Sequence, residues 1–317
     1  MNSSEFMHLL AQTYLSRKNG QEPDAGAGFE AQEKTWLSMY GIGKLELYRF
    51  LYGACTQPGD LLPWLQQLKG AGAVAAAHRQ FDAWLEGNGA AIAGEKVEHR
   101  VLGDAQRQHW QEQGFIKVGG LVPAADCDAV KDFICTYQGI NLQDPDTWYQ
   151  PHADWHGLML QVYQHPAIEA IRANAGVKQL FAELYQTHHI AANTDKVSYN
   201  PPETGSWTFR HHHLHWDIDM SRPPAYYIQG LIYLDDVPEN RGPLKLVPGF
   251  QHTFAAYLAQ FNHPDEAQMA IRLHPGAIPV PGQKGDIVLW QQTLPHAASA
   301  NHSDLPRFVQ YLSFTKL

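Results

Sequence analysis

Cysteine is scarce in this chain: three in 317 residues, Cys55, Cys127 and Cys135. The number is odd and the spacing matches no thiolate metal site, so neither a disulfide scaffold nor structural zinc is expected. A reducing, cytoplasmic setting fits best. Positive charge is also in deficit, with 23 Lys and Arg against 32 Asp and Glu and a net charge of −9. That argues against a nucleic-acid partner, which would need a basic face. No apolar run approaches the roughly 20 residues needed to cross a bilayer, and the opening Met1-Asn-Ser-Ser-Glu lacks the basic and apolar regions of a signal peptide. No membrane partner is expected. There is no glycine-rich phosphate loop and no nucleophile elbow. With 44% hydrophobic and 17% charged residues, the chain has the composition of a globular protein rather than a disordered one.

What is present falls into two parts. Residues 1–100 carry helix-like apolar spacing, as at Leu61–Leu68 and from Val74 to Leu85, with Gly-Asn-Gly at 87–89 as a stop. Gln21 to Gly28 reads as a loop. Tyr40, Tyr48, Phe50 and Tyr52 read as core. No chemistry is evident in this extension. Its expected roles are covering the main domain, capping its site or making a homodimer contact. From residue 101 the pattern changes. A helix ends at Gly114, a short strand spans Phe115–Val118, and a second helix opens near Val122. After Ala192 short strands alternate with Gly and Pro: Lys196–Tyr199, Tyr226–Leu234, Leu244–Val247, Ala277–Val280, Gly285–Trp290 and Phe308–Phe314, with a helical insertion at 254–272. Such strands predict a sandwich or jelly roll rather than a parallel α/β sheet. The fold class is therefore mainly β with flanking helices (α+β).

The chemistry concentrates in Arg210-His-His-His-Leu-His-Trp-Asp217, which places four of 18 histidines in five residues. On a strand, alternation points His215 and Asp217 to the same face. One rigid element then offers an imidazole and a carboxylate to a single metal. His296, between the Trp290 strand and the last strand, is the candidate third ligand. Two imidazoles and one carboxylate form a facial triad that leaves three positions open on Fe(II). Arg307 opens the last strand, where a guanidinium could hold the distal carboxylate of an organic acid such as 2-oxoglutarate bidentately. His-x-Asp recurs at His152-Ala-Asp154, but in loop-like surroundings that suggest a structural or site-wall role.

These residues carry a resemblance. Residues 101–317 resemble the phytanoyl-CoA dioxygenase family of Fe(II)/2-oxoglutarate oxygenases. The matching features are Gln111-Glu-Gln-Gly-Phe115, Arg210 to Asp217, Glu239-Asn-Arg-Gly242-Pro-Leu-Lys-Leu-Val-Pro248-Gly249, Gly285-Asp286-Ile-Val, His296, Asn301 and Arg307. The resemblance implies a double-stranded β-helix (a cupin-like jelly roll), with His215, Asp217 and His296 as iron ligands and Arg307 as the partner of the 2-oxoglutarate C5 carboxylate. It suggests further co-substrate contacts from the strand before the motif and from Gln229 and Tyr233, which would share a face. Two departures stand out. Phe250-Gln251-His252 follows Pro-Gly where the family often has Ser-His. Ala298 stands two residues after the distal histidine where a hydroxyl residue can sit, leaving Ser299 as the nearby candidate.

The implied activity is hydroxylation or desaturation of a small-molecule metabolite, consuming O2 and 2-oxoglutarate and releasing succinate and CO2. In a related halogenase the position filled by Asp217 is left for chloride, so halogenation is not expected. A polar or amino-acid-like substrate is preferred over an acyl-CoA, because no basic patch for CoA phosphates is evident. Tyr199, His213, Asp219 and Arg222 are candidate substrate contacts. Each has a plainer alternative: core packing for Tyr199, strand-entrance packing or extra ligation for His213 (and His211), and solvated loop charges for Asp219 and Arg222. Two rival readings stay open. One is a cupin-type metal enzyme that does not use 2-oxoglutarate (a dioxygenase or an isomerase). The other is a non-catalytic small-molecule binding protein on the same fold.

Overall fold

Good helix formers, ordered caps and stops at glycine shape the first part of the chain. The computed structural model describes residues 1–87, 97–210, 213–220 and 224–317. His211, His212, Arg222 and the last two residues of the expected helix stop, Asn88 and Gly89, lie outside them. The described chain divides into two units. One comprises Met1–Glu98, Ala182–Asp195 and Phe314–Leu317; the other comprises His99–Phe181 and Lys196–Ser313.

The first unit is helical: α1 (Ser3–Lys18), α2 (Phe29–Tyr40), α3 (Lys44–Tyr52), α4 (Leu61–Lys69) and α5 (Ala71–Leu85). Asn2 caps α1 through the Glu5 amide, and the Glu5 carboxylate accepts from the Asn2 amide in return. This reciprocal pair satisfies donors that the first helical turn leaves free. Phe6, Leu10, Trp36, Leu47, Leu51 and Phe81 form the core. Of the four aromatics expected in it, Tyr40 is buried, Tyr48 and Phe50 are half-buried, and Tyr52 is exposed. Tyr52 ends α3, and the helix turns it away from the buried Leu47 and Leu51.

Chain order continues with α6 (Asp104–Gln113), β1 (Phe115–Val118), α7 (Ala124–Gln138), β2 (Trp155–His156), β3 (Met159–Leu160), α8 (Pro166–Arg172) and α9 (Ala175–Tyr185). Gly114 links α6 to β1 at φ +73°, where an added Cβ would strike the side chains of Gln251 and Leu294. Glycine is thus required twice over at this position, by backbone angle and by space. β4 (Ile190–Ala192) follows and pairs with Phe314–Lys316 inside the first unit.

The second unit is a jelly roll, or double-stranded β-helix. Its remaining strands are β5 (Val197–Asn200), β6 (Ile228–Tyr233), β7 (Leu244–Leu246), β8 (Ile278–Val280), β9 (Ile287–Gln291), β10 (His296–Ala298) and β11 (Arg307–Lys316). The larger sheet runs β1-β9-β6-β11-β5-β3-β2 and the smaller one β10-β7-β8. Every pairing in both is antiparallel. Between β7 and β8 lie α10 (Phe254–Leu258) and α11 (Pro264–Ala270). Alternation sends Leu231, Tyr233, Val288, Trp290 and Val309 from the larger sheet, with Leu244, Leu246 and Val280 from the smaller, into one core. Each such side chain contributes roughly 1.5–3 kcal/mol on burial. No helix among the described residues is long and apolar enough to cross a membrane.

The histidine-rich segment differs from expectation. Its described residues form no strand. His215 alone makes an isolated antiparallel bridge, to His296. Strand-like alternation still governs the side chains. Leu214 and Trp216 drop into an apolar cluster with Val247, Phe250, Phe254, Ile271 and Ala297, and the Trp216 indole donates to the Thr293 carbonyl at 2.8 Å. His215 and Asp217 are left facing the opposite way.

Candidate metal centre

Two of the three candidate ligands are backbone partners. The His215 amide donates to the His296 carbonyl at 3.1 Å, and the His296 amide donates back to His215 at 3.0 Å. Residues 81 apart in sequence are thereby held side by side, with ring centroids 4.9 Å apart. Asp217, two residues on, completes the group. His296 Nε2 lies 3.3 Å from one Asp217 oxygen and His215 Nε2 lies 3.6 Å from the other. One ligand atom from each residue falls within 4.8 Å of the others, the one cluster of this kind among the described residues.

The other face of each imidazole fixes what these atoms can do. His215 Nδ1 meets the His213 carbonyl at 3.0 Å, and His296 Nδ1 meets the Leu294 carbonyl at 3.1 Å. A carbonyl only accepts, so both Nδ1 atoms carry the proton. In neutral imidazoles the Nε2 lone pairs then point inward, toward a carboxylate that also only accepts. Acceptors converging with no proton between them repel unless a cation joins them. This donor set of two nitrogens and one carboxylate, without thiolate, suits iron. In the metal-free protein a proton can stand in for the cation. Burial opposes ionisation of Asp217, but the His296 hydrogen bond, the charge of both imidazoles when protonated and the Gln229 amide outweigh it and hold the carboxyl below the usual carboxylate range.

Arg307 is buried at 1% exposure on the inner face of β11. Its Nη1 donates to the Gly242 carbonyl at 2.8 Å and its Nη2 to Ser198 Oγ at 3.3 Å. Its Nε is buried with no partner. Among the described residues it pairs with no carboxylate. A guanidinium this buried, with an unmet donor, fits a site that takes a ligand's carboxylate. Tyr311 shares its face of the strand. Burial raises the Tyr311 phenol, while Arg307 and a hydrogen bond to Ser198 oppose the rise and Asp217 adds to it. The phenol therefore sits within the fields of both the cation and the candidate metal centre.

Several expected site residues are placed otherwise. Tyr199 faces away from the jelly-roll interior. Its strand partner is Phe308, whereas Arg307 pairs with Asn200 and Val309 with Ser198. Residues directly opposite share a face, so Ser198 and Asn200 point inward and Tyr199 outward. Its hydroxyl donates to the Trp148 carbonyl at 3.0 Å, which makes it a packing residue rather than a substrate contact. The Tyr233 hydroxyl donates to the Val280 carbonyl at 2.7 Å and accepts from the Leu244 amide at 3.0 Å. Burial pushes its phenol up to about 12. It ties the two sheets together and has no hydrogen left for a co-substrate. The Ser299 backbone donates to the Pro243 carbonyl and accepts from Asn200 Nδ2. His213 supplies a carbonyl to His215 and is not among the three clustered ligands. Asp219 is exposed. Asp154 accepts from the Tyr137 hydroxyl at 2.6 Å, in keeping with a structural role.

Gln229 is at the centre, but against a candidate ligand: its Nε2 donates to Asp217 Oδ2 at 3.0 Å. The Trp290 indole donates to Gln229 Oε1 at 3.1 Å. Ser198, Tyr311 and this role of Trp290 were not singled out by sequence. The available signal was parity with Arg307 along β11 and across to β5, and it becomes usable only once the register is known.

The phytanoyl-CoA dioxygenase family model matches residues 110–309. A Dictyostelium discoideum protein provisionally named a phytanoyl-CoA dioxygenase is 21% identical over 262 residues, covering 65% of this chain and 73% of its own length. Among solved structures, the non-haem α-ketoglutarate-dependent carbocyclase SnoK from nogalamycin biosynthesis is 17% identical with a TM-score of 0.51. The match covers 69% of this chain and 85% of that one. The EctD protein from S. alaskensis with bound Fe is 18% identical with a TM-score of 0.51, covering 71% and 80%. At these identities the structural likeness speaks for the shared fold.

Proposed function

Because the chain belongs to the phytanoyl-CoA dioxygenase family, we propose that it is a non-haem Fe(II)- and 2-oxoglutarate-dependent oxygenase that hydroxylates a small molecule and releases succinate and CO2. The observation that carries this reading is the convergence of His215 Nε2, His296 Nε2 and the Asp217 carboxylate, with both Nδ1 atoms already committed to carbonyls. When bound, iron and 2-oxoglutarate supply the oxidising power to break a C–H bond that no protein side chain could attack.

The chain's own residues have three tasks. His215, His296 and Asp217 would hold the ion on one side and leave the other for co-substrate and oxygen. Arg307, with Ser198 and Tyr311 beside it, would take the distal carboxylate of 2-oxoglutarate and so fix which end of that molecule reaches the metal. The unmatched Nε of Arg307 is the donor such a carboxylate would meet. The packed face formed by Trp290, Val309 and Leu231 would exclude water from that path. The same fold carries an enzyme named for carbocyclisation. Hydroxylation is thus a statement about substrate placement, and a product heavier by one oxygen would support it.

The test is succinate formation from 2-oxoglutarate by the full chain with Fe(II) in air, compared with His215→Ala. Turnover in the wild type and its loss in the variant support the reading. Metal bound with no 2-oxoglutarate consumed, across a panel of polar metabolites, would turn it toward a metal enzyme that does not use this co-substrate.

A further inference from the structure

A glutamine amide has an oxygen that accepts and an NH2 that donates, and its orientation is fixed by what each end meets. At Gln229 the choice is forced. The Trp290 indole N–H can only donate, and it lies 3.1 Å from one end of the amide, which must therefore be Oε1. The other end, Nε2, then faces Asp217 Oδ2 at 3.0 Å as a donor. Were the amide reversed, a carbonyl oxygen would face the carboxylate and an N–H would face an N–H. Gln229 and Trp290 are direct partners across β6 and β9, so the sheet register itself sets up the relay. Trp290 is 2% exposed, and its ring lies 5.0 Å from that of His296 with the planes tilted by 51°. One buried indole thus touches one candidate ligand and, through one amide, orients another.

We propose that Gln229, locked in orientation by Trp290, is a positioning residue that makes Asp217 a one-oxygen metal ligand. A carboxylate can bind a metal through one oxygen or both. Binding through both would take a further coordination position and leave too few for a chelating co-substrate together with oxygen. The Nε2 hydrogen bond engages Oδ2 and resists the rotation that would bring both oxygens onto the ion. The inference rests on the metal centre described under Proposed function and concerns how its carboxylate is held.

The test is a Co(II) titration of the full chain, following both affinity and the visible ligand-field absorption of the bound ion, without turnover. Gln229→Leu gives an apolar side chain one carbon shorter and removes the donor. Its Co(II) affinity should fall by about 10- to 100-fold, as is usual when a partner of a metal ligand is lost. The absorption should change with coordination number. Trp290→Phe keeps a ring but frees the amide to reverse, so it should move both readouts in the same direction. The double variant should add little to Gln229→Leu alone, because the two act on one bond. Gln229→Leu also leaves the buried Trp290 N–H without its acceptor, so its metal-free melting curve should move down, and Co(II) is titrated below the onset of that curve. Wild-type affinity and spectrum in Gln229→Leu would overturn the proposal and leave the metal centre intact. Equal Co(II) binding by wild type and His215→Ala would remove the centre itself, and this inference with it.

Discussion

Arg307 donates through Nη1 to the Gly242 carbonyl at 2.8 Å, while Arg241, the neighbour of that glycine, donates to the carbonyl of Pro306, the neighbour of Arg307, at 2.6 Å. Two consecutive pairs of residues are clasped reciprocally. Arg241 also reaches Asp235 and the Asp236 carbonyl. The β6–β7 turn therefore holds the start of β11, and with it the guanidinium aimed into the jelly roll.

Arg307→Lys keeps the charge but loses the fork that can meet a carboxylate with two parallel bonds. One charge-assisted hydrogen bond is worth about 1.5–3 kcal/mol. The KM for 2-oxoglutarate should accordingly rise about 10- to 100-fold, with kcat at saturation reduced less. Tyr311→Phe should raise the same KM by a smaller factor. Steady-state succinate release against 2-oxoglutarate concentration measures both. An unchanged KM in Arg307→Lys would mean that the co-substrate carboxylate sits elsewhere.

Gly242→Ala strains the clasp directly. Gly242 has φ +66°, and an added Cβ would lie 2.6 Å from Asn200 Nδ2 and 3.0 Å from the Ser299 carbonyl. Strain of this kind costs about 1–3 kcal/mol. Urea unfolding should show a loss in that range, and 2-oxoglutarate affinity should fall with it, since the Gly242 carbonyl is what holds Arg307. Stability lost at unchanged affinity would show that the turn supports the fold without setting the arginine.

Tyr199→Phe separates the two faces of β5. Removal of the hydroxyl leaves the buried Trp148 carbonyl without its donor, for a loss of about 1–3 kcal/mol. Because Tyr199 faces away from the interior, kcat and both KM values should stay near wild type. A selective rise in substrate KM would put this residue back in the pocket.

These cases explain how much was legible in the sequence. His215, Asp217, His296 and Arg307 stand out because their chemistry is unusual and their order along the chain is informative. The jelly roll follows from short strands punctuated by Gly and Pro, and the helical extension from its apolar spacing. Tyr199 against Ser198 is a matter of one residue's parity, and parity means nothing until a partner strand fixes the face. Gln229 and Trp290 are 61 residues apart and meet only through the β6–β9 register. Alternation of Leu214 and Trp216 against His215 and Asp217 reads as a strand, but among the described residues the segment pairs through a single bridge, at His215.

Asp217 offers the last prediction, through pH and metal together. Its carboxyl is held below the usual range in the folded protein, against about 3.9 in an unfolded chain. The unfolded state therefore binds the proton more readily. This group's contribution to stability is full above about pH 4 and is lost as pH falls below that value. In metal-free protein, the stability difference between wild type and Asp217→Asn should shrink as pH is lowered from 6 to 3, followed by urea unfolding at each pH. Metal gives the complementary result at neutral pH. An ion present at a hundred times its Kd stabilises the folded state by about 2.7 kcal/mol. Wild type should gain that much with Co(II) and return to its metal-free curve on chelation. Asp217→Asn removes the charge that offsets the cation and should gain little. If the variant were stabilised by Co(II) as much as wild type, the ion would be bound away from Asp217, and the three converging atoms would need another explanation.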